Sequence, residues 1–98
     1  MKGADALIRL KPLEPALRRQ GLSALYLFGS VGRDDAADTS DVDLLFDVAD
    51  NTTFSLFDQV RIQLELSNAL HVGVDLIPVE ELRPAMRERI ARELVQMF

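Results

Sequence analysis

Asp41, Asp43 and Asp75 are the residues whose types and spacing most directly suggest chemistry. Seven of the chain's aspartates fall between Asp34 and Asp50, and Arg33 is the one positive charge adjoining them. Asp34, Asp35, Asp38 and Asp50 read as wet loop residues. Asp41 and Asp43 differ, because they open the run Asp41-Val42-Asp43-Leu44-Leu45-Phe46-Asp47. Residues two apart on a strand point to the same face, so both carboxylates project together while Val42 and Leu44 enter an apolar layer. Two such groups in one space repel unless a cation joins them. Oxygen-only ligands favour Mg²⁺, with Mn²⁺ as the alternative.

Asp75 stands between Val74 and Leu76 in an otherwise apolar run. If that run lies beside residues 41–46, a strand spacing of about 4.8 Å brings Asp75 to the same ions. Three carboxylates then suit two cations roughly 3.5–4 Å apart, the separation used for in-line phosphoryl chemistry. Phe28-Gly29-Ser30-Val31-Gly32-Arg33 adds a glycine turn, a hydroxyl and a guanidinium, a set able to face a triphosphate. Alone, that turn is weak evidence; beside the aspartates it gains meaning.

These residues need elements to hold them. Leu13 to Gln20 predicts a short helix stopped by Gly21, with Pro15 in its first turn. Ser23 to Phe28 predicts a buried strand, and Asp41 to Asp47 a second strand paired to it. Ser55 and Asp58 have capping-box spacing for a helix from about Phe54 to Leu70, in which Phe57, Val60 and Leu64 recur at helical intervals. Phe54, Phe57 and Leu66 are expected in the core. Val72 to Ile77, ending at Pro78, predicts a third strand, and Pro84 to Met97 a last helix with Met86, Ile90, Leu94 and Met97 inward. The expected fold is α/β (α+β), a small mixed β-sheet packed with helices, forming one domain over residues 1–98.

Gly29-Ser30, then Asp41-Val42-Asp43, then Asp75 on a later strand resembles the polymerase-β-type nucleotidyltransferase superfamily. Phe28-Gly29-Ser30-x-x-Arg33, Ser40-Asp41-x-Asp43-Leu44 and Val74-Asp75-Leu76 are most similar to the minimal nucleotidyltransferases that act as antitoxins, the MNT partners of HEPN-domain toxins. The resemblance spans about Leu10 to Phe98. It implies that Asp41 and Asp43 ligate two Mg²⁺ ions, that Asp75 completes the site and helps activate the acceptor, and that Gly29, Ser30 and Arg33 bind the phosphates of ATP or another NTP. It further implies transfer of AMP to a hydroxyl, such as a tyrosine of a HEPN toxin. Gly32 and Asp34 depart from the usual pattern, the latter placing a negative charge near the phosphate turn.

Composition bounds the alternatives. A chain of 98 residues has room for one core and no separate acceptor domain, so a large acceptor must be another molecule, and modification of a small molecule would require an oligomer to complete the pocket. A formal net charge of −5 argues against direct nucleic-acid binding. The absence of cysteine and of any long apolar run or signal-like start leads to the expectation of a cytoplasmic protein with no membrane role. His71 reads as a helix-end residue, Tyr26 as strand packing, and Arg83, Arg87, Arg89 and Arg92 with Glu88 and Glu93 as a salt-bridged helix face.

Overall fold

The computed structural model describes residues 3–28 and 42–98. Four α-helices and four strands follow one another among these residues: α1 (Gly3–Leu10), α2 (Glu14–Arg19), β1 (Leu22–Phe28), β2 (Val42–Val48), α3 (Leu56–Leu70), β3 (Val74–Pro78), α4 (Pro84–Ile90) and β4 (Val95–Gln96). The strands form one mixed sheet in the order β3-β2-β1-β4. β1 runs antiparallel to β2 and β4, whereas β2 and β3 are parallel. A parallel pair needs a long crossover, and α3 supplies it.

Strand alternation divides the sheet into two faces. Leu25 and Leu27 of β1, Val42, Leu44 and Phe46 of β2, and Val74 and Leu76 of β3 join one buried cluster with Ala6, Leu10, Leu17, Ile62, Leu66 and Leu70 from the helices. Helices α1, α2 and α3 therefore cover this face. Gln59 Nε2 donates to Leu76 O at 2.9 Å and fastens α3 over β3. Arg9 Nη1 donates to Leu70 O at 3.2 Å, satisfying a carbonyl that the end of α3 leaves open.

The capping box forms as the sequence predicts: Ser55 Oγ accepts from Asp58 N, and the Asp58 carboxylate accepts from Ser55 N. These bonds hold Asp58 below its ordinary pKa. His71 ends α3 in the left-handed region at φ 59°, with its backbone N–H on Ser67 O.

Four expectations are corrected. The chain is helical from Gly3, ahead of the predicted start at Leu13; a 3₁₀ turn at Lys11–Leu13 containing Pro12 separates α1 from α2. The third strand begins at Val74 rather than Val72. The last helix ends at Ile90, because the following segment gives its backbone to the edge of β1: Met97 N donates to Leu25 O at 2.8 Å and Leu25 N to Phe98 O at 3.3 Å. Met97, just past β4, is consequently buried, while Met86 is 46% exposed.

The fourth concerns α3. Its buried positions are Ile62, Leu66 and Leu70, and the predicted stripe of Phe57, Val60 and Leu64 lies on the opposite, exposed side. Phe54, just before the helix, does turn inward, with its ring 5.6 Å from that of Phe46.

Gly21 joins α2 to β1 with φ +113°, and its carbonyl accepts from Ala49 N at 2.8 Å. A Cβ there would lie 2.9 Å from Thr52 Cγ2. Gly21→Ala is expected to cost about 1–3 kcal/mol, read as a lower denaturation midpoint with an unchanged denaturant slope.

Candidate active site

The second face of the sheet buries Leu45 and Ala24 and also carries two aspartates. Because Val42 and Leu44 are buried in the helix-covered layer, Asp43 between them points the other way; Asp75, between Val74 and Leu76, does the same. The β2–β3 register places Asp43 directly opposite Asp75. Directly opposed residues project to one face about 5 Å apart, so two carboxylates from strands separated by a whole helix share one patch. Asp43 is half-buried and Asp75 exposed. Two hard oxygen donors side by side fit a hard divalent cation. No group of three or more metal-competent side chains occurs among the described residues. Asp41, the expected third ligand, lies outside them.

Across the other edge of β2, Asp43 pairs with Phe28, the end of β1. Phe28 forms one wall of a cavity of about 300 Å³ whose other walls are Met86, Arg89 and Ile90 of α4, with Glu93 just beyond. A slot of mixed lining, with Phe28, Met86 and Ile90 beside the charged Arg89 and Glu93, thus adjoins Asp43. Spacing alone could not reveal it: Met86 and Ile90 read as core and Arg89 as a solvated face. Arg87 faces elsewhere, donating to Leu82 O and Glu80 O at 3.1 Å each and holding the turn before α4.

Farther along the same face, Tyr26 is half-buried and its hydroxyl donates to Asp47 Oδ2 at 3.4 Å. Burial raises the phenol's pKa above its ordinary value, and the Asp47 charge and hydrogen bond raise it further. Asp47 lies on β2 with the same orientation as Asp43, but the β2–β3 register ends at Phe46, so Asp47 has no residue of β3 opposite it.

Residues 11–98 match the family described as polymerase beta, nucleotidyltransferase. The chain belongs to that family. This nucleotidyltransferase is 32% identical over 84 residues to a Methanocaldococcus jannaschii protein named "Putative protein adenylyltransferase", a match covering 86% of this chain and 88% of the other. A solved "putative minimal nucleotidyltransferase" superposes with a TM-score of 0.80 at 33% identity, covering 97% of this chain and 95% of its own. A chain of the solved complex of a tri-AMPylated Shewanella oneidensis HEPN toxin with its MNT antitoxin shares the fold, with a TM-score of 0.66 at 21% identity over 95% of this chain and 71% of that one.

Of the predicted site residues, the structure brings Asp43 and Asp75 together. Gly29, Ser30, Arg33 and Asp41 lie outside the described residues, as does the predicted loop from Asp34 to Ser40. No helix among the described residues is long and apolar enough to cross a membrane.

Proposed function

We propose that this nucleotidyltransferase moves AMP from ATP to a tyrosine hydroxyl of a cognate HEPN toxin and thereby acts as its antitoxin. The observation that carries the reading is the pairing of Asp43 with Asp75 on one open sheet face, in a chain of this family. Asp41, Asp43 and Asp75 are the ligands we assign to two Mg²⁺ ions. When bound, these ions would neutralise charge developing on the α-phosphate and on the departing pyrophosphate.

The rest of the work falls to the chain. Gly29 and Ser30 hold the terminal phosphates, and Arg33 offsets their charge. Asp75, the more exposed of the described pair, faces the incoming hydroxyl and accepts its proton. The hydroxyl oxygen forms a bond to the α-phosphorus as the bond to the bridging oxygen of pyrophosphate breaks. Catalysis comes from positioning and charge compensation. The cavity beside Phe28 is at the small end of ligand sites, and its mixed lining of Phe28, Met86 and Ile90 with Arg89 and Glu93 suits a planar ring that carries polar edges.

The names of the relatives support the acceptor class: one is a protein adenylyltransferase by name, and another is an antitoxin complexed with an AMPylated toxin. The test is transfer of label from α-phosphate-labelled ATP with Mg²⁺ to the purified toxin, comparing wild type with Asp41→Ala/Asp43→Ala. Label on the toxin with wild type alone is expected. No labelled species despite a demonstrable complex would overturn the reading, as would full neutralisation by the double variant, which would make the protein a stoichiometric inhibitor.

A further inference from the structure

Helix α3 carries two apolar faces, and the fold uses one. Ile62, Leu66 and Leu70 are fully buried against the sheet, whereas Leu56 is 72% exposed, Phe57 84%, Val60 48% and Leu64 60%. The exposed four line a groove flanked by Arg61 and Glu65. An apolar stripe of this continuity on a helix that already has a core face is the pattern of a second burial.

We infer that this stripe is the interface of a two-fold dimer, in which α3 packs antiparallel against α3 of a second copy. Charge and spacing select that occupant. With the dyad beside the midpoint between Arg61 and Glu65, Arg61 faces the second copy's Glu65, and Val60 faces the second copy's Leu64; the same contacts recur in reverse. Phe57 then lies over the second copy's Asn68. The patch is self-complementary, with one cation and one anion spaced to exchange partners.

The polar rim is also held in place before association. Arg61 donates to Asp58 Oδ1 at 2.7 Å and to Gln20 Oε1 at 3.3 Å, and Glu65 Oε2 accepts from Gln20 Nε2 at 3.1 Å. Ordered side chains lose less entropy on binding.

A protein acceptor of the transfer reaction fits this face poorly, a step that rests on the site proposed above. α3 covers the face of the sheet opposite Asp43 and Asp75. A molecule seated on α3 would have to reach around the sheet to present its hydroxyl. A second copy placed back to back leaves both carboxylate pairs open.

Sedimentation velocity on the full chain tests this without reference to activity. The wild type is expected to sediment as a dimer, and Phe57→Asp and Leu64→Lys each to halve the mass. Both positions are exposed in the single chain, so circular dichroism should match wild type. Arg61→Gln or Glu65→Gln alone should weaken the dimer, and the double variant should lose less than the sum of the two. A wild type that remains monomeric up to its solubility limit overturns the proposal. So does a dimer that survives Phe57→Asp, or losses at Arg61 and Glu65 that simply add. Loss of AMP transfer with the dimer intact would count against the proposed reaction alone.

Discussion

Asp43→Asn is expected to lower Mg²⁺-supported AMP transfer by at least about 10³-fold, roughly 4 kcal/mol of transition-state stabilisation, while leaving the metal-free fold as stable as wild type or more so. The two effects have one origin. Asp43 and Asp75 stand opposite each other in register, and two like charges at that separation repel until a cation joins them. Asparagine keeps the side chain's shape and removes one charge, so the repulsion falls together with the capacity to bind metal. Mg²⁺ should therefore raise the melting temperature of wild type and leave that of Asp43→Asn unmoved, because only the first binds it in the folded state. Asp75→Asn should behave in the same way. Asp47→Asn is the control: it alters the same face of the same strand at a carboxylate that does not stand opposite Asp75, and its transfer rate should stay within about threefold of wild type. An Asp43→Asn protein with transfer within tenfold of wild type, or a wild type indifferent to Mg²⁺, would remove Asp43 from the site.

That Asp43 and Asp75 meet was legible in the sequence because strand periodicity is short and strict. Each aspartate is flanked by apolar residues, so the face of each is set once its strand is recognised. The remaining step, that β3 lies beside β2, follows from the apolar character of both strands and the helix between them. The cavity at Phe28 was not legible, since it depends on where α4 crosses the sheet, which no local pattern specifies. Nor was β4: a two-residue strand has no periodicity, and its cause is the open edge of β1, some 70 residues away in the chain. α1 was obscured by Pro12, which punctuates a helical region the structure continues through as a tight turn. In α3 the period was correct, and of the two helix residues expected in the core Leu66 is buried and Phe57 exposed. Phe57, Val60 and Leu64 obey helical spacing as well as Ile62, Leu66 and Leu70 do, and sequence alone cannot tell which of two apolar stripes meets the core.

Alanine substitution along α3 turns that choice into a measurement. Leu66→Ala should destabilise the fold by about 2–5 kcal/mol, since a fully buried leucine contributes both its transfer free energy and the cost of the cavity left behind. Leu64→Ala, two residues earlier, should change stability by no more than about 0.5 kcal/mol at dilutions where the chain is monomeric. If the stripe of Phe57, Val60 and Leu64 met the core instead, the two values would exchange. The comparison should be made on the free energy from denaturant midpoints at constant slope. A domain of this size has about 5–15 kcal/mol in total, so Leu66→Ala removes a large share of it. Leu66 lies in the same cluster as Leu44 and Leu76, the neighbours of Asp43 and Asp75 on their strands. Loss of packing there should loosen the register that opposes the two carboxylates. In Leu66→Ala, Mg²⁺ should still raise the melting temperature, but transfer should decline well below the denaturation midpoint; in Leu64→Ala, activity and fold should be lost together. Equal destabilisation by both variants under monomeric conditions would mean that α3 buries both of its faces within a single chain.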